Sequence, residues 1–209
     1  MNADTRRSIV KAITFDLDGV YFVNGKSNFI ASLSRLGVSE GEAKRVFFDS
    51  DEMNSRYKAG TMSDGEFWSW ALKEWDVDLS VEEIVKLLIE GYETNQQVLG
   101  VVKDARNRGY KTLVCSNNFP ARIQGLQARF GFLDNFDAAA ISYEIGATKP
   151  SQAIFRELVK RSGVNAEEIV FADDDESKLS GARAIGMQTF VYKGFDEFLV
   201  SLRNLGVVI

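Results

Sequence analysis

Two aspartates stand directly after the first apolar run of the chain, VKAITF at 10–15. Asp16 and Asp18 are separated by one residue, so in an extended segment their side chains point to the same side. A carboxylate can attack a phosphoryl group as a nucleophile, provided that a cation neutralises the two approaching anions. Gly19 follows the pair and would allow the backbone to turn sharply or to approach a ligand closely. The spacing therefore indicates carboxylate chemistry on a phosphate ester.

Further polar groups stand where later apolar runs of the chain end. Because ligands of an open parallel sheet bind beyond the carboxyl ends of its strands, these positions are expected to meet in one site. Taken alone, each group has an ordinary structural explanation, such as a helix N-cap, a solvated turn or a surface lysine. Their occurrence in order, after successive runs, favours a shared site. They are Ser116 and Asn117 after 111–115, Lys149 after 138–142, and Asp173 and Asp174 after 168–172.

The expected site is rich in carboxylates. The pair after the first run, brought together with Asp173 and Asp174, would raise one another's pKa values and destabilise the fold unless a cation lay between them. Oxygen ligands without histidine or thiolate indicate a hard ion, and the sequence therefore predicts Mg²⁺. Lys149 would supply a second positive charge beside a phosphoryl group, and Ser116 a hydroxyl to hold its oxygens.

Composition restricts the chemistry further. The 209 residues include no histidine, which excludes zinc-hydrolase, Ser-His-Asp and Cys-His mechanisms. Cys115 is the sole cysteine and lies in an apolar run, which predicts a buried structural thiol in a reducing compartment. A formal net charge of −5 argues against nucleic acid and membrane partners. No stretch approaches the ~20 apolar residues of a membrane span, and the start MNADTRRSIV is polar, so we expect a cytoplasmic protein.

Short apolar runs alternate with helix-like segments from residue 97 onward. Amphipathic stretches such as VVKDARNRGY and IFRELVKRSG contain or precede a glycine at their ends, as helices commonly do. This alternation predicts a Rossmann-like α/β fold with a parallel sheet, and the all-apolar runs suit strands that are buried on both faces. The predicted strands are 10–15, 111–115, 138–142, 168–172 and 188–192.

A different pattern fills the segment between the first strand and residue 97. Several stretches there have helical spacing, and none has a convincing strand pattern. Ser80 and Glu83 form a capping-box pair at the start of one stretch, and the apolar face from Trp68 to Trp75 is predicted to pack in a core. These patterns predict a small all-helical domain inserted into the sheet domain. The predicted division assigns 1–22 and 97–209 to the sheet core and 23–96 to the inserted domain.

Four segments of the chain together resemble the motifs of the haloacid dehalogenase superfamily. The resemblance is to its phosphatase branch with a helical cap, which includes phosphoglycolate phosphatases and β-phosphoglucomutase-like enzymes. It covers nearly the whole chain, and the inserted helices match the position of the family's cap, which closes over the site and selects the substrate. The segments are FDLDGV, VCSNN, ATKPSQAIF and FADDDESKLSGARAIGM.

The resemblance implies a role for each polar residue. Asp16 would be the nucleophile and a metal ligand. Asp18 would be the general acid/base that protonates the leaving alcohol and later activates water, and its backbone carbonyl would bind the metal. The other implied roles are phosphate binding for Ser116, substrate orientation for Asn117, support of the phosphoryl group for Lys149, metal ligation for Asp174, and direct or indirect support of the metal for Asp173.

Three features depart from the family pattern or leave alternatives open. Lys178 stands where many relatives have an asparagine. Tyr21 and Phe22 follow the first motif, where they would either narrow the pocket entrance or pack beneath the cap. Arg56 and Lys58 lie in RYKAGTMSDGEFW, which resembles a cap turn that reaches the active site, so each is either a substrate contact or part of a solvated surface.

The resemblance implies a Mg²⁺-dependent phosphatase that acts on a small phosphorylated metabolite, as a monomer or homodimer. A C–halogen hydrolase of the same superfamily is disfavoured, because a halide leaves without a proton and would not need Asp18. A β-phosphoglucomutase-like phosphomutase would use the same residues and stays an alternative. A binding protein that has lost turnover is the alternative from outside the enzymes.

Overall fold

The computed structural model describes residues 9–209, and a parallel sheet of five strands forms its centre. The first eight residues of the predicted segment 1–22, with most of the polar start of the chain, lie outside the described residues. The strands are β1 (Ala12–Phe15), β4 (Lys111–Ser116), β5 (Ala138–Ile141), β6 (Ile169–Asp173) and β7 (Gln188–Val191). Their order in the sheet is β5-β4-β1-β6-β7.

All five predicted strands are confirmed to within two residues. β1 lies at the centre, and Phe15 is in register with Val114 of β4 on one side and Ala172 of β6 on the other. The carboxyl ends of these three strands therefore coincide at one edge of the sheet. Apolar side chains bury both faces of the sheet, which explains why the strands read as unbroken apolar runs.

Helices connect these strands and cover the sheet. Each parallel connection needs a crossover, and most of the crossovers are helical, as the alternating pattern predicted. The α/β fold class is thereby confirmed. The helices are α5 (Gln96–Asn107), α6 (Pro120–Phe130), α7 (Ser142–Ile145), α8 (Gln152–Ser162), α9 (Ser180–Ala184) and α10 (Phe195–Asn204).

Four further helices and one π-helical turn lie between β1 and α5. Two-residue strands, β2 (Phe22–Val23) and β3 (Glu93–Thr94), pair antiparallel at the entry and exit of this helical segment. The sequence analysis found no strand there, because two residues are too few to produce an alternating pattern. The helical elements are α1 (Gly25–Arg35), α2 (Glu40–Phe47), the π-helical turn Glu52–Tyr57, α3 (Asp64–Trp75) and α4 (Val81–Glu90).

The local signals of this helical segment are realised in the structure. The Ser80 hydroxyl accepts a hydrogen bond from the backbone N–H of Glu83 at 3.2 Å, and the Glu83 carboxylate accepts one from the Ser80 N–H at 2.8 Å. Ser63 begins α3 with the same reciprocal arrangement. The predicted apolar face of α3, from Trp68 to Trp75, is buried. Within residues 9–209, no helix combines the length and the apolar character needed to cross a membrane.

Contacts join the helical segment to the sheet layer. Helix α4 packs against α6. The Tyr57 ring stacks on Phe119 with 4.5 Å between ring centroids. The Asp64 carboxylate accepts hydrogen bonds from the Tyr57 hydroxyl and, at 3.0 Å, from the backbone N–H of Ala121 in the first turn of α6. These contacts hold the helical segment over the edge of the sheet where β1, β4 and β6 end.

Candidate active site

The candidate site is a cavity of about 400 Å³ at the carboxyl ends of β1, β4 and β6. Parallel register places Asp16 directly after β1, Ser116 at the end of β4 and Asp173 at the end of β6. The structure thus brings all seven predicted site residues to one cavity. They are Asp16, Asp18, Ser116, Asn117, Lys149, Asp173 and Asp174.

Lys149 is the central cation on the sheet side of the cavity. Its ammonium donates hydrogen bonds to Asp16 at 2.8 Å, Asp173 at 2.5 Å and the backbone carbonyl of Cys115 at 3.0 Å. Burial disfavours the charged form, yet the two carboxylates outweigh it and hold the pKa of Lys149 above its usual value. The lysine therefore stays charged and fixes the orientation of the Asp16 carboxylate.

Three carboxylates form a group that could hold a cation. Asp16, Asp173 and Asp174 each offer an oxygen, and these oxygens lie within 4.8 Å of one another. Loss of solvent, together with the two neighbouring carboxylates, raises the pKa of Asp174 to about 6, and burial raises the pKa of Asp16. One ammonium group does not balance three carboxylates. An all-oxygen set of this kind fits a hard divalent ion such as Mg²⁺.

Asp18 has a different environment, dominated by a buried arginine. The Arg122 guanidinium lies 2.7 Å from the Asp18 carboxylate, and the Lys26 ammonium lies 3.6 Å from it. Burial opposes ionisation, but Arg122 and then Lys26 lower the pKa of Asp18 below its usual value. The two aspartates of the first motif therefore lie in different electrostatic environments, set by Lys149 for one and by Arg122 for the other.

Arg122 was not singled out from the sequence. Its side chain is buried, and it also donates hydrogen bonds to the Tyr92 hydroxyl at 2.7 Å and to Asn118 at 2.6 Å. The spacing of Arg122 and Leu126 on α6, with Phe119 as the residue that precedes the helix, places the arginine on the buried face of the helix. A charged residue in such a position was the signal that could have identified it.

The residues after β4 hold the site together. The Asn117 side chain bonds the backbone of Lys149 in both directions, accepting from its N–H at 2.6 Å and donating to its carbonyl at 3.1 Å. Ser116 is buried and its hydroxyl accepts a hydrogen bond from the Asn118 amide at 3.4 Å. Ser116 is not the N-cap of α6, because that helix begins at Pro120 after Phe119.

The structure distinguishes between the alternatives that the sequence analysis left open. Lys58 lines the cavity, whereas Arg56 is exposed and does not. Lys178 also lines the cavity, 3.8 Å from Asp175. The two aromatic residues after the first motif pack in the core rather than at the entrance. Tyr21 lies 5.2 Å from Phe136, and Phe22 lies 5.1 Å from Phe132, between ring centroids.

Comparison with known proteins agrees with this arrangement. The haloacid dehalogenase-like hydrolase family model matches residues 10–186. An uncharacterized protein of Dictyostelium discoideum is 33% identical over 72% of the chain, and the match spans 66% of that protein, just under two thirds of its length. The D-ribitol-5-phosphate phosphatase of Bacteroides thetaiotaomicron is 23% identical over 87% of the chain and 91% of its own length.

Solved structures share the fold. A HAD family enzyme from Bacteroides thetaiotaomicron, in complex with magnesium and inorganic phosphate, superimposes with a TM-score of 0.76 at 20% identity. The superposition covers 88% of this chain and 94% of that enzyme. The family match extends over most of the described residues and includes all seven residues of the candidate site. The chain therefore belongs to the haloacid dehalogenase-like hydrolase family.

Proposed function

We propose that this protein is a Mg²⁺-dependent phosphatase that hydrolyses a small phosphomonoester through an aspartyl-phosphate on Asp16. The observation that supports it most is the pairing of Asp16 with Lys149 at 2.8 Å, at the base of a cavity that also contains Asp18 and Asp174. A carboxylate held in this way is oriented for attack, and the lysine offsets the charge of the incoming phosphoryl group. The names of the relatives, among them a D-ribitol-5-phosphate phosphatase, support the same reaction class.

The proposed first half-reaction transfers the phosphoryl group to the protein. An oxygen of Asp16 attacks phosphorus while the bond from phosphorus to the ester oxygen breaks. Arg122 and Lys26 favour the carboxylate form of Asp18 in the resting protein, so Asp18 first takes up a proton from water and then passes it to the leaving alkoxide. Ser116 and Lys149 hold the phosphoryl oxygens, and the Asn117 side chain fixes the backbone of Lys149 through two hydrogen bonds.

The proposed second half-reaction returns the protein to its starting state. Asp18, now a carboxylate, accepts a proton from water as the water oxygen attacks phosphorus. The bond from phosphorus to the Asp16 oxygen then breaks, and inorganic phosphate is released. Arg122 and Lys26 favour the carboxylate form of Asp18 that this step requires.

Mg²⁺ would be held by Asp16 and Asp174, with Asp173 in support and the backbone carbonyl of Asp18 as a further oxygen. Once bound, it would supply positive charge to the phosphoryl group and to the attacking carboxylate. The closeness of the three carboxylates within 4.8 Å and the raised pKa of Asp174 support this placement. We further propose that residues 23–96 act as a substrate-selecting cap on a core formed by 1–22 and 97–209.

The test is hydrolysis of p-nitrophenyl phosphate by the purified protein, with Mg²⁺ and with excess chelator. Asp16→Asn removes the nucleophile but keeps the shape, so we expect a loss of kcat on the order of a thousandfold or more. Arg56→Met, a change at an exposed residue outside the cavity, is the matched control and should retain wild-type turnover. Wild-type activity in Asp16→Asn, or full activity in chelator, would refute the mechanism.

A phosphomutase would use the same residues for its first half-reaction. The discriminating measurement is the addition of a sugar bisphosphate to a sugar monophosphate reaction. Release of inorganic phosphate with no isomerised sugar supports the phosphatase, whereas formation of the isomer supports the mutase.

A further inference from the structure

Several cations besides Lys149 line the cavity, and we call the surface that they form the cationic wall. They come from separate elements: α1, the turn after the π-helical segment, α6, and the turn after β6. The four residues are Lys26, Lys58, Arg122 and Lys178.

Lys58 differs from the other three cations of this wall. Arg122 and Lys26 both pair with Asp18, and Lys178 lies 3.8 Å from a carboxylate. Among the residues that the structure describes, Lys58 forms no ion pair, and its ammonium donates a hydrogen bond to the neutral side chain of Asn54 at 2.9 Å. Lys58 is thus the cation of this wall that has no paired carboxylate within the described residues.

The surroundings of Lys58 make an unmatched charge costly. The residue is half-buried, and its neighbours include the cations Arg122, Lys26 and Lys178. Burial and then repulsion from these cations lower the pKa of Lys58 to about 7. A half-buried cation among other cations is stabilised when an anion binds beside it. No carboxylate among the described residues pairs with Lys58. Asp18 favours its charged form but is already paired with two other cations, so a bound ligand would supply the anion.

The position of Lys58 identifies which part of the ligand it would meet. The charge of the Asp18 carboxylate favours the charged form of Lys58, whereas Asp16 and Asp173 are paired with Lys149. In the proposed mechanism Asp18 protonates the leaving oxygen. Lys58 therefore lies on the side of the cavity occupied by the leaving alcohol rather than by the phosphoryl group.

The rest of this side of the cavity restricts the leaving alcohol further. Phe47, Phe48 and Met53, all from the helical segment, line the same cavity. Their side chains offer no strong hydrogen-bond partners to the hydroxyl groups of a sugar or polyol chain. A short carbon skeleton that ends in an anion could lie against these apolar side chains and present its anion to the lysine.

We propose that Lys58 and its neighbouring cations form an anion subsite, and that the substrate is a short phosphomonoester whose alcohol part carries a second anionic group. This inference rests on the proposed function and names its substrate class. The second group is a carboxylate or a second phosphate, since both present oxygen anions to an ammonium group.

Matched pairs of substrates test the proposal. Phosphoglycolate is compared with 2-hydroxyethyl phosphate for the carboxylate, and 1,3-propanediol bisphosphate with 3-hydroxypropyl phosphate for the second phosphate. We expect wild-type kcat/KM to favour the anionic member of at least one pair by about tenfold or more, the value of one charge-assisted contact. The pair with the larger ratio identifies the second anion. Equal kcat/KM within both pairs would overturn the proposal.

Variants at Lys58 assign the preference to this residue. Lys58→Met should raise KM for the favoured anionic substrate by about tenfold and remove most of the ratio within the pair. Lys58→Arg keeps the charge and should retain most of the ratio, while Arg56→Met should not change it. If Lys58→Met lowers kcat/KM equally for both members of the pair, Lys58 does not bind the second anionic group.

Calorimetry separates this proposal from the proposed function. Binding of phosphoglycolate and of 2-hydroxyethyl phosphate is measured with the Asp16→Asn protein and Mg²⁺, where turnover is not required. Tighter binding of the anionic member that is lost in the double variant with Lys58→Met supports the subsite even if the wild type hydrolyses neither compound. Equal affinity, with hydrolysis of both compounds by the wild type, would reject the subsite and leave the phosphatase intact.

Discussion

At the scale of single residues, neighbouring cations give the two aspartates of the first motif different properties. Asp16 shares Lys149 with Asp173, while Asp18 lies against Arg122 at 2.7 Å. The sequence predicted that both carboxylates belong to one site, because their spacing alone places them on the same side. The Arg122 contact could not be predicted, since it depends on where the fold places α6 relative to the turn after β1.

The acidic group that includes Asp174 leads to a prediction about pH. A carboxyl group whose pKa is raised to about 6 binds a proton more tightly in the folded protein than in the unfolded chain. Without metal, lowering the pH through 6 toward 4 should therefore stabilise the wild type relative to Asp174→Asn. With Mg²⁺ present, lowering the pH should instead destabilise the wild type, because protons compete with the metal for Asp174. The stabilisation by Mg²⁺ should therefore shrink over the same pH range.

Thermal unfolding with and without Mg²⁺, at pH 7.5 and pH 5, measures both effects. The expected result is an increase in Tm with Mg²⁺ at the higher pH that is much smaller at the lower pH. Asp174→Asn is the control and should have only a small Mg²⁺ response at either pH. A Mg²⁺ response of equal size at both pH values would argue against metal binding by this carboxylate.

At the scale of elements, the five strands of the parallel sheet could be predicted from the sequence. The short β2–β3 ribbon and the contacts of the turn after β1 could not. Residues buried on both faces of a sheet produce apolar runs that stand out in the sequence, so β1 and β6 were located closely. The β2 and β3 ribbon is two residues on each side and carries no periodic signal. The turn that follows β1 was anticipated from Gly19, although its contact with Asp174 was not.

Gly19 makes that turn possible and leads to a prediction about metal affinity. Its φ of 79° lies in the left-handed region, and a Cβ there would stand 2.2 Å from a carboxylate oxygen of Asp174. Gly19→Ala should therefore displace Asp174 and raise the Mg²⁺ concentration needed for half-maximal activity by about tenfold, in addition to backbone strain of ~1 kcal/mol.

Gly37→Ala is the matched control for this prediction. Gly37 has a φ of 93°, and a Cβ there would meet nothing within 4 Å. Both variants should lose thermal stability through backbone strain, and only Gly19→Ala, which also displaces Asp174, should need more Mg²⁺. If the two variants need the same Mg²⁺ concentration as the wild type, the close approach of Gly19 to Asp174 has no role in metal binding.

At the scale of the whole molecule, the proposed function depends on how the helical segment packs against the sheet layer. The sequence predicted both parts, because a helical pattern and a strand–helix pattern differ clearly in period. It could not predict which residues join the two parts, since Asp64 and Ala121 are far apart in the chain and carry no local signal. The cations of the cavity wall were likewise scattered, from Lys26 to Lys178, and only the fold brings them together.

Asp64 ties the helical segment to the sheet layer and leads to the last prediction. Its carboxylate accepts hydrogen bonds from Tyr57 and from the N–H of Ala121, which is an otherwise unpaired donor in the first turn of α6. Asp64→Ala removes both bonds and leaves that donor to water. The segment should then open more often, and amide exchange at Ala121 should accelerate by about tenfold for each 1.4 kcal/mol lost.

Hydrogen exchange read at Ala121 and on α4 measures this opening directly. Asp78→Ala removes the same charge from an exposed position of the helical segment and should leave both exchange rates unchanged. A cap that opens more often also exposes the cavity to water for longer, so Asp64→Ala should raise KM for the substrate while phosphoryl transfer from p-nitrophenyl phosphate still requires Asp16. Unchanged exchange at Ala121 in Asp64→Ala would mean that the aromatic stacking of Tyr57 on Phe119 holds the segment in place without this hydrogen bond.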